Sequence, residues 1–403
     1  MVPVPSSSDV AIIGGGYTGL AAARTLARAG TDVTLLERHT LGWGASNRNG
    51  GFVLPGYKPE MSELERRFGP DRAEGMFRLS QEAIDALVRL IDEENIGCDL
   101  VRCGSVTLAA KSRHLRDLEQ SGRFLRERLG YRTELLGPAD LRHEIGSLRY
   151  YGALLDPSAR SLHPAKYVRG LAGAALRAGA RLLENTEVKK LRRVRGGFEI
   201  ATSRGPMRAA EVLAATNGYT PAALPTLRRR VIPIGSYQIA TAPLGSELAR
   251  RLVPKRRVFS DTKHLLYYFR LSPDDRMVFG GRASFTPTGL RRSAAILRAG
   301  MREVFPELGD AVIEFAWAGK VAYPVDHLPH AGRLGGLYYA MGYCGHGVAL
   351  ATYLGGRMGD VIAGKSTLPD LGAASFRPIP LYNGVPWFLP LVGGYYRIRD
   401  WLS

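Results

Sequence analysis

A glycine-rich turn near the start of the chain constrains its fold more than any other feature. An apolar strand is predicted over Val10–Ile13, and the segment from Gly14 to Gly19 reads Gly-Gly-Gly-Tyr-Thr-Gly. A helix is predicted over Leu20–Gly30 and a second strand over Asp32–Glu37, which ends in an acidic residue. This order of elements is typical of the βαβ unit that binds a dinucleotide pyrophosphate at a helix N-terminus.

The residues of this unit have separate physical roles. Gly14 permits the tight turn, Gly16 lets the backbone approach a pyrophosphate, and Gly19 allows the helix to pack closely on the strand. Glu37 can accept hydrogen bonds from an adenosine ribose, which argues against a 2′-phosphorylated dinucleotide. We therefore predict a dinucleotide site.

Length and composition indicate an ordinary globular protein. The chain has 403 residues, 45% of them hydrophobic and 23% charged, and we expect two domains. Cys98, Cys103 and Cys344 form no disulfide framework and no recognisable metal site. The N-terminus lacks the features of a signal peptide, and no apolar run approaches the ~20 residues of a spanning helix. These features predict a cytoplasmic protein without a metal.

The strong positive charge suggests anionic partners. The formal net charge is +18. The basic residues occur in short groups, such as Arg228–Arg230, and no basic stripe interleaved with aromatic residues is present. We expect no nucleic-acid binding.

A second strand–glycine–helix unit occurs late in the chain. A strand over Leu337–Met341 leads into Gly342-Tyr-Cys-Gly-His-Gly347, and a helix is predicted over Val348–Ile362. Strand patterns also fill much of residues 181–215 and 231–280. The cofactor domain is therefore predicted to be closed by C-terminal residues, with the two domains interleaved.

Four segments together resemble a known family. They are the N-terminal turn with Glu37-Arg38, the segment Gly42-Trp-Gly-Ala-Ser-Asn-Arg-Asn-Gly-Gly51, Trp317-Ala-Gly319, and Gly342-Tyr-Cys-Gly-His-Gly347. The chain resembles the D-amino-acid-oxidase-type superfamily of FAD oxidoreductases and, within it, the gamma-glutamylputrescine oxidoreductase branch. The resemblance runs from about residue 8 to the C-terminus.

The resemblance implies an α/β (α+β) fold, in which a Rossmann-like, glutathione-reductase-like FAD-binding domain is interleaved with a mixed β-sheet substrate domain. The FAD-binding domain is expected over residues 8–60, 150–220 and 320–370. The substrate domain is expected over 61–149 and 221–319, and residues 371–403 form a C-terminal tail. The family oxidises C–N bonds with FAD.

The resemblance also implies which residues contact FAD. They are Gly14, Gly16, Tyr17, Thr18, Gly19, Glu37, Arg38, Gly44, Ala45, Ser46, Arg48, Asn49, Gly50, Gly51, Val188, Thr216, Gly342, Gly345, His346, Gly347 and Val348. Among them, Gly345, His346, Gly347 and Val348 would place a helix N-terminus against the pyrimidine edge of the flavin, where reduction adds negative charge.

Departures from the family pattern bear on substrate and cofactor attachment. Amino-acid oxidases of this fold carry an arginine shortly after the segment matching Trp317-Ala-Gly319, and this chain has Tyr323-Pro324 there. Sarcosine-type enzymes attach flavin through a cysteine near the position of Ala322, which is absent here. We expect non-covalent FAD and a substrate other than a small α-amino acid.

The predicted reaction is oxidation of an amine, a polyamine derivative or a secondary amine, by hydride transfer from its α-carbon to flavin N5. Tyr267, Tyr268 and Tyr323 are the candidates for lining the substrate face. The alternatives are an amino-acid oxidase or dehydrogenase, a flavoprotein acting on RNA, and a non-catalytic flavin-binding subunit.

The electron acceptor is predicted to be oxygen or a quinone. The lysine that promotes oxygen reactivity in sarcosine oxidases matches Val278 here, so this electrostatic aid to the reaction with oxygen is absent. The tail is apolar, rich in Trp and Tyr, and carries Arg397 and Arg399. It either packs as a clasp on the protein or contacts a membrane peripherally, where the positive net charge would assist docking on anionic lipid.

Overall fold

The structure, a computed structural model, describes residues 2–281, 289–369, 371 and 376–402, with the backbone alone from residue 396 onward. The strands are β1 (Ser7–Ile13), β2 (Val33–Leu36), β3 (Phe52–Val53), β4 (Ser105–Leu108), β5 (Glu134–Leu136), β6 (Ala153–Asp156), β7 (Arg160–Ser161), β8 (Arg181–Leu183), β9 (Val188–Val194), β10 (Gly197–Thr202), β11 (Gly205–Ala214), β12 (Ile232–Thr241), β13 (Val258–Asp261), β14 (Tyr267–Leu271), β15 (Met277–Gly281), β16 (Ile313–Tyr323), β17 (His330–Leu334) and β18 (Leu337–Met341).

The helices are α1 (Tyr17–Arg28), α2 (Ala45–Arg48), α3 (Met61–Phe68), α4 (Pro70–Glu93), α5 (Ser112–Leu129), α6 (Pro138–Leu141), α7 (Pro164–Arg177), α8 (Pro225–Arg228), α9 (Ser246–Leu252), α10 (Leu290–Val304), α11 (Gly347–Ile362) and α12 (Leu389–Leu402). None of the helices in the described part of the chain is long and apolar enough to cross a bilayer.

The first sheet has the strand order β17-β18-β11-β1-β2-β8, and the β9–β10 hairpin extends from β11. The five strands from β18 to β8 are parallel, with β1 paired to β2 on one side and to β11 on the other. Val10, Ala11 and Ile12 are all buried. Burial on both faces is expected of a parallel sheet covered by helices, and it explains the continuous apolar run in β1.

The second sheet is mixed and has the order β16-β12-β15-β14-β13-β4-β6-β5. Most of its pairs are antiparallel, and β13 and β4 run parallel. Helix α10 packs on it and buries Leu297 and Met301 against Phe269 and Phe279. Aromatic stacking contributes to this core, where the rings of Phe269 and Phe279 are stacked with their centroids 5.4 Å apart.

The two sheets draw on alternating segments of the chain, which is the interleaved α/β fold class that the sequence predicted. The strands extend beyond the expected domain bounds at two places. Residues Ala153–Asp156 form β6 and pair with β4, so they belong to the second sheet although they follow position 150. Strand β16 likewise continues past position 320 to Tyr323.

Two helices begin or end at residues whose types favour helix capping. His163 caps α7, because its side chain accepts a hydrogen bond from the Lys166 N–H at 3.4 Å, and Pro164 occupies the first turn of the helix. Helix α5 ends at Gly130, whose φ of 59° is left-handed.

Helix α11 packs directly on α1 through a face of small residues. A Cβ at Gly355 would lie 2.3 Å from the carbonyl oxygen of Thr18, which is closer than real Cβ contacts come. Gly356, the next residue along, would place its Cβ 3.6 Å from the nearest atom, the hydroxyl of Thr25. The backbones of the two helices are therefore in contact at Gly355 but not at Gly356.

We expect Gly355→Ala to lower the free energy of unfolding by about 1–3 kcal/mol, because a methyl group there must push the helices apart. Gly356→Ala is the matched control and should gain up to about 1 kcal/mol from helix propensity. Denaturant unfolding of both variants measures the difference. Equal stability of the two would show that α1 and α11 do not touch at this point.

Candidate active site

A cavity of about 1100 Å³ is lined by residues of both sheets. Its wall includes the turn after β1, the end of β2, the loop around α2, strands β12 and β14 and the N-terminus of α11. This volume exceeds the roughly 300–1,000 Å³ of most small-molecule sites. It is large enough for an extended dinucleotide together with a small substrate.

The glycine turn forms one end of this cavity. A Cβ at Gly19 would lie 1.9 Å from the carbonyl oxygen of Gly14, so the helix rests on the turn itself. A Cβ at Gly14 would lie 2.9 Å from the carbonyl oxygen of Ala215, the residue that directly follows β11. Gly16 caps α1 without a side chain, and the first turn of α1 contains no acidic residue. The positive end of the helix dipole is thus open to an anionic phosphate.

Glu37 is held at the end of β2 by two backbone donors. Its Oε2 accepts the N–H of Gly15 at 2.8 Å, and its Oε1 accepts the N–H of His39 at 2.9 Å. A carboxylate has about four acceptor positions, so two remain for ribose hydroxyls. Arg38, Val188 and Thr216 also line the cavity.

The loop around α2 is fixed by Asn49. Its Nδ2 donates to the carbonyls of Ala45 and Ser46 and to the Tyr17 hydroxyl, at 3.0, 3.1 and 3.2 Å. Its Oδ1 accepts the N–H of Gly51 at 2.8 Å. One side chain therefore binds this loop to α1 and closes the turn that follows it.

Side chains of the second sheet donate hydrogen bonds to the backbone carbonyls of the same loop. The carbonyl of Arg48 accepts hydrogen bonds from Trp317 Nε1 at 3.2 Å and from the Gln238 side chain. Arg270 donates to the carbonyl of Gly50 at 2.8 Å and to that of Leu162 at 3.0 Å. Burial lowers the pKa of the Arg270 guanidinium. The position of the loop around α2 thus depends on polar groups of the second sheet.

Sequence reasoning missed Gln238 and Arg270 as site residues. Both are buried polar residues in strands that are otherwise apolar, and this contrast is the signal that could have marked them. Which carbonyls they bind depends on how the two sheets are placed.

The N-terminus of α11, which packs beside α1, forms another part of the wall. Gly345, His346, Gly347 and Val348 line the cavity there. Burial lowers the pKa of His346 from its ordinary value of 6.5 to about 4, so the ring is neutral at physiological pH. Its Nδ1 is buried and has no hydrogen-bond partner within the residues that the structure describes. A polar ligand atom would satisfy this nitrogen.

Most of the residues predicted to contact FAD line this one cavity. The three that do not are Gly19, Gly51 and Gly342, and each supports a residue that does. Gly19 packs on Gly14, and Gly51 donates to Asn49. The N–H of Gly342 donates to Asn217 Oδ1 at 2.9 Å, which joins the two strand ends below the cavity. The residues present therefore match the requirements of FAD.

The three candidate tyrosines separate into two groups. Tyr268 lines the cavity, and its hydroxyl lies 2.9 Å from Ser236 Oγ. Tyr323 is buried and also lines the cavity. Tyr267 lies outside it, because neighbouring residues in a strand point to opposite faces. Its ring packs on Phe279 at 5.0 Å, and its position on the core side of the sheet corrects the expectation that it faces substrate.

Charged groups that the sequence did not single out also line the cavity. Asp261 is buried, and burial raises the pKa of its carboxyl to about 6. Its Oδ1 accepts the N–H of Tyr267 at 3.0 Å, and its Oδ2 lies 3.2 Å from the Lys263 ammonium. Glu60, Arg113 and Asp117 are exposed at the same cavity. Across the described ranges, no cluster of three or more His, Cys, Asp and Glu side chains is placed to hold a metal.

The neutral state of His346 predicts a pH dependence of stability. Between pH 4 and 6.5 the unfolded chain takes up a proton at this residue and the folded chain does not. The stability that His346 contributes is therefore complete above pH 6.5 and is lost as the pH falls toward 4. His346→Asn should show a smaller fall in melting temperature than the wild type over this range.

The measurement is a set of thermal melts of both proteins. Asp261 has a raised pKa, so its contribution changes with pH in the opposite direction, but it is the same in both proteins and cancels in the comparison. Parallel pH profiles for the two proteins would rule out a neutral, buried imidazole.

Arg270 should be required for tight cofactor binding. Arg270→Met removes the donor to the Gly50 carbonyl, and we expect the Kd for FAD to rise about tenfold, as for loss of one hydrogen bond to a charged group. Arg298→Met is the control, since Arg298 donates to the Gly309 carbonyl on an exposed surface. Quenching of flavin fluorescence on titration of the apoprotein measures both constants. An unchanged Kd for Arg270→Met would mean that the hydrogen bond from Arg270 to the Gly50 carbonyl does not affect FAD binding.

Comparison with known proteins agrees with this geometry. A family model described as FAD dependent oxidoreductase (DAO) matches residues 9–361. Gamma-glutamylputrescine oxidoreductase of Escherichia coli K12 is 33% identical over 402 residues, covering 98% of this chain and 93% of that protein. Oxidoreductase OrdL of Haemophilus influenzae is 34% identical over 364 residues, covering 89% of this chain and 83% of its own length.

Solved structures show the same fold. Glycine oxidase from Geobacillus kaustophilus superposes with a TM-score of 0.76 at 23% identity, covering 94% of this chain and 100% of that one. L-proline dehydrogenase from P. horikoshii gives a TM-score of 0.73 at 22% identity, covering 91% and 96%. The family and fold predictions are confirmed. The chain belongs to the DAO family of FAD-dependent oxidoreductases, and FAD is its cofactor.

Proposed function

We propose that this enzyme oxidises the C–N bond of an amine to an imine, which water then hydrolyses. The proposed amine is a polyamine derivative or a secondary amine. The observation that carries the proposal is the aromatic wall of Tyr268 and Tyr323 in the cavity that the FAD-binding residues line. The similarity to gamma-glutamylputrescine oxidoreductase over nearly the whole chain supports it.

The side chains of this wall prepare the amine for oxidation. FAD, when bound non-covalently, supplies the acceptor for the hydride that leaves the carbon next to nitrogen. The amine must be unprotonated to release that hydride, and burial away from water lowers the pKa of an amine. Tyr268, whose hydroxyl is held by Ser236, presents its ring next to Gly50, where a Cβ would meet the ring at 3.2 Å. The aromatic wall is thus adjacent to the loop around α2, which we call the cofactor loop.

Strand β16 offers the substrate a tyrosine where an amino-acid oxidase of this fold is expected to offer an arginine. Tyr323 lines the cavity at the end of the strand. The nearby cation, Lys320, lies over the ring of Tyr219 at 5.6 Å, and burial lowers its pKa. Its ammonium is therefore directed to a different ring from those of the aromatic wall. The charges of Glu60, Arg113 and Asp117 at the cavity suit an extended amine with a charged far end.

We propose oxygen or a quinone as the electron acceptor. A cytoplasmic location of the enzyme also remains a prediction. The amino-acid oxidase or dehydrogenase alternative keeps the same cofactor site but requires a partner for a substrate carboxylate. The RNA alternative requires a clustered basic face and predicts a steep fall of binding with salt.

Anaerobic mixing of the FAD-loaded enzyme with candidate substrates tests the reaction. We expect polyamine derivatives or secondary amines to bleach the flavin absorbance, and α-amino acids to bleach it slowly or not at all. Bleaching by α-amino acids alone would replace this proposal with the amino-acid alternative. Salt-sensitive retention of RNA in a filter-binding assay would favour the RNA alternative.

Two neighbouring tyrosines provide a matched pair of variants. Tyr268→Phe removes a hydroxyl at the cavity wall, and we expect the rate of anaerobic reduction by the amine to fall about fivefold, as for loss of one hydrogen bond. Tyr267→Phe removes a hydroxyl on the core side of the same strand and should leave the rate within about twofold. Stopped-flow absorbance measures both rates. Equal effects would show that Tyr268 does not contact the substrate side.

A further inference from the structure

The C-terminal helix α12 has one face against the protein and one face exposed. Leu389 is 5% exposed and packs with Ile234 and Tyr323. Leu389 and Val392 both line the cavity. On the other side, Leu391 is 74% exposed and Tyr395 is 56% exposed, and their spacing of four residues places them together on the helix. The tail is therefore part of the cavity wall and also presents an apolar outer surface.

The segment that leads into α12 also exposes large apolar side chains. Leu381 is 95% exposed, Val385 is 53% exposed and Trp387 is 64% exposed. Single exposed apolar residues are normal, but several large ones in a short stretch mark a binding surface. We call Leu381, Val385, Trp387, Leu391 and Tyr395 the tail surface. Trp, Tyr and Leu together are typical of side chains that lie at the boundary of water and lipid.

Positive charge flanks the tail surface, and acidic charge is missing from its sequence. The sequence contains no Asp or Glu from residue 371 to residue 399. The tail lies along a run of arginines, because the N–H of Ile379 donates to the carbonyl of Arg229 at 2.9 Å and Arg230 donates to the carbonyl of Phe376 at 2.8 Å. Arg229 and Arg377 are exposed there. The side chains of Arg397 and Arg399 lie outside the described residues.

This charge selects among the possible occupants of the tail surface. A second copy of the chain would bring two like-charged surfaces together, which is unfavourable. A bilayer that contains anionic lipid offers both an apolar interior for the exposed side chains and negative charge for the arginines, worth about 1 kcal/mol for each Lys or Arg near the surface. Helix α12 has 14 residues, or about 21 Å at the usual rise, so it is too short to cross a bilayer.

We propose that the tail surface docks the enzyme on the surface of an anionic bilayer. The outer face of α12 lies among the lipid headgroups, and Arg229 and Arg377 meet lipid phosphates. Because Leu389 and Val392 line the cavity from the inner face of the same helix, docking places that part of the cavity wall next to the bilayer. The inference does not depend on which amine is oxidised.

Co-sedimentation of the FAD-loaded, full-length protein with vesicles tests the proposal. We expect binding to vesicles of phosphatidylcholine and phosphatidylglycerol in equal parts, weaker binding to phosphatidylcholine alone, and a loss of binding as salt is raised. Trp387→Ser combined with Leu391→Ser should lower the affinity for the mixed vesicles about tenfold or more. Leu148→Ser is the control, because Leu148 is 85% exposed elsewhere on the protein and should have no effect.

Each other outcome overturns the proposal. Wild-type protein that stays in the supernatant, or a double variant that binds as well as the wild type, excludes the tail surface as a lipid-docking site. A dimer in size-exclusion chromatography that Leu391→Ser dissociates would assign the surface to a second copy. Retained flavin absorbance confirms that the variants are folded, and no substrate is present, so failure of the proposed reaction cannot affect the result.

Discussion

Contact between backbones, with no side chain between them, determines where the N-terminus of α1 lies. The helix rests on the carbonyl of Gly14 through Gly19 and on α11 through Gly355. The Thr18 and Tyr343 hydroxyls, 2.7 Å apart and buried, join α1 to the turn before α11. Because both helices are held this closely, residues at both of their N-termini line the same cavity.

The cofactor loop is the point at which the two domains depend on each other. Asn49 fixes it to α1, whereas Trp317 and Arg270 bind its carbonyls from the second sheet. A buried guanidinium is costly to desolvate, and the hydrogen bonds of Arg270 to the carbonyls of Gly50 and Leu162 offset part of that cost. The same sheet presents Tyr268, so cofactor loop and aromatic wall are set by one set of strands.

Charge is distributed unevenly over the site. The side chains of His346 and Tyr343 just before α11 are kept neutral, because burial lowers the pKa of His346 and raises that of Tyr343. Carboxylates line other parts of the cavity: Glu37 follows β2, Asp261 ends β13, and Glu60, Asp117 and Glu187 also contribute. A neutral centre between two helix N-termini suits a cofactor that gains negative charge on reduction. The basic exterior, by contrast, concerns encounter with partners and not the chemistry within.

The sequence by itself determined the dinucleotide turn, the acidic residue after β2, the second glycine turn before α11 and the alternation of the two domains. These features are local, because each depends on residue spacing within one strand–turn–helix unit. Only the tertiary structure decided which carbonyls Arg270 and Gln238 bind, and which of Tyr267 and Tyr268 faces the cavity. A strand's two faces are chemically alike in its sequence when both are aromatic, so the choice depends on how the second sheet lies against the first.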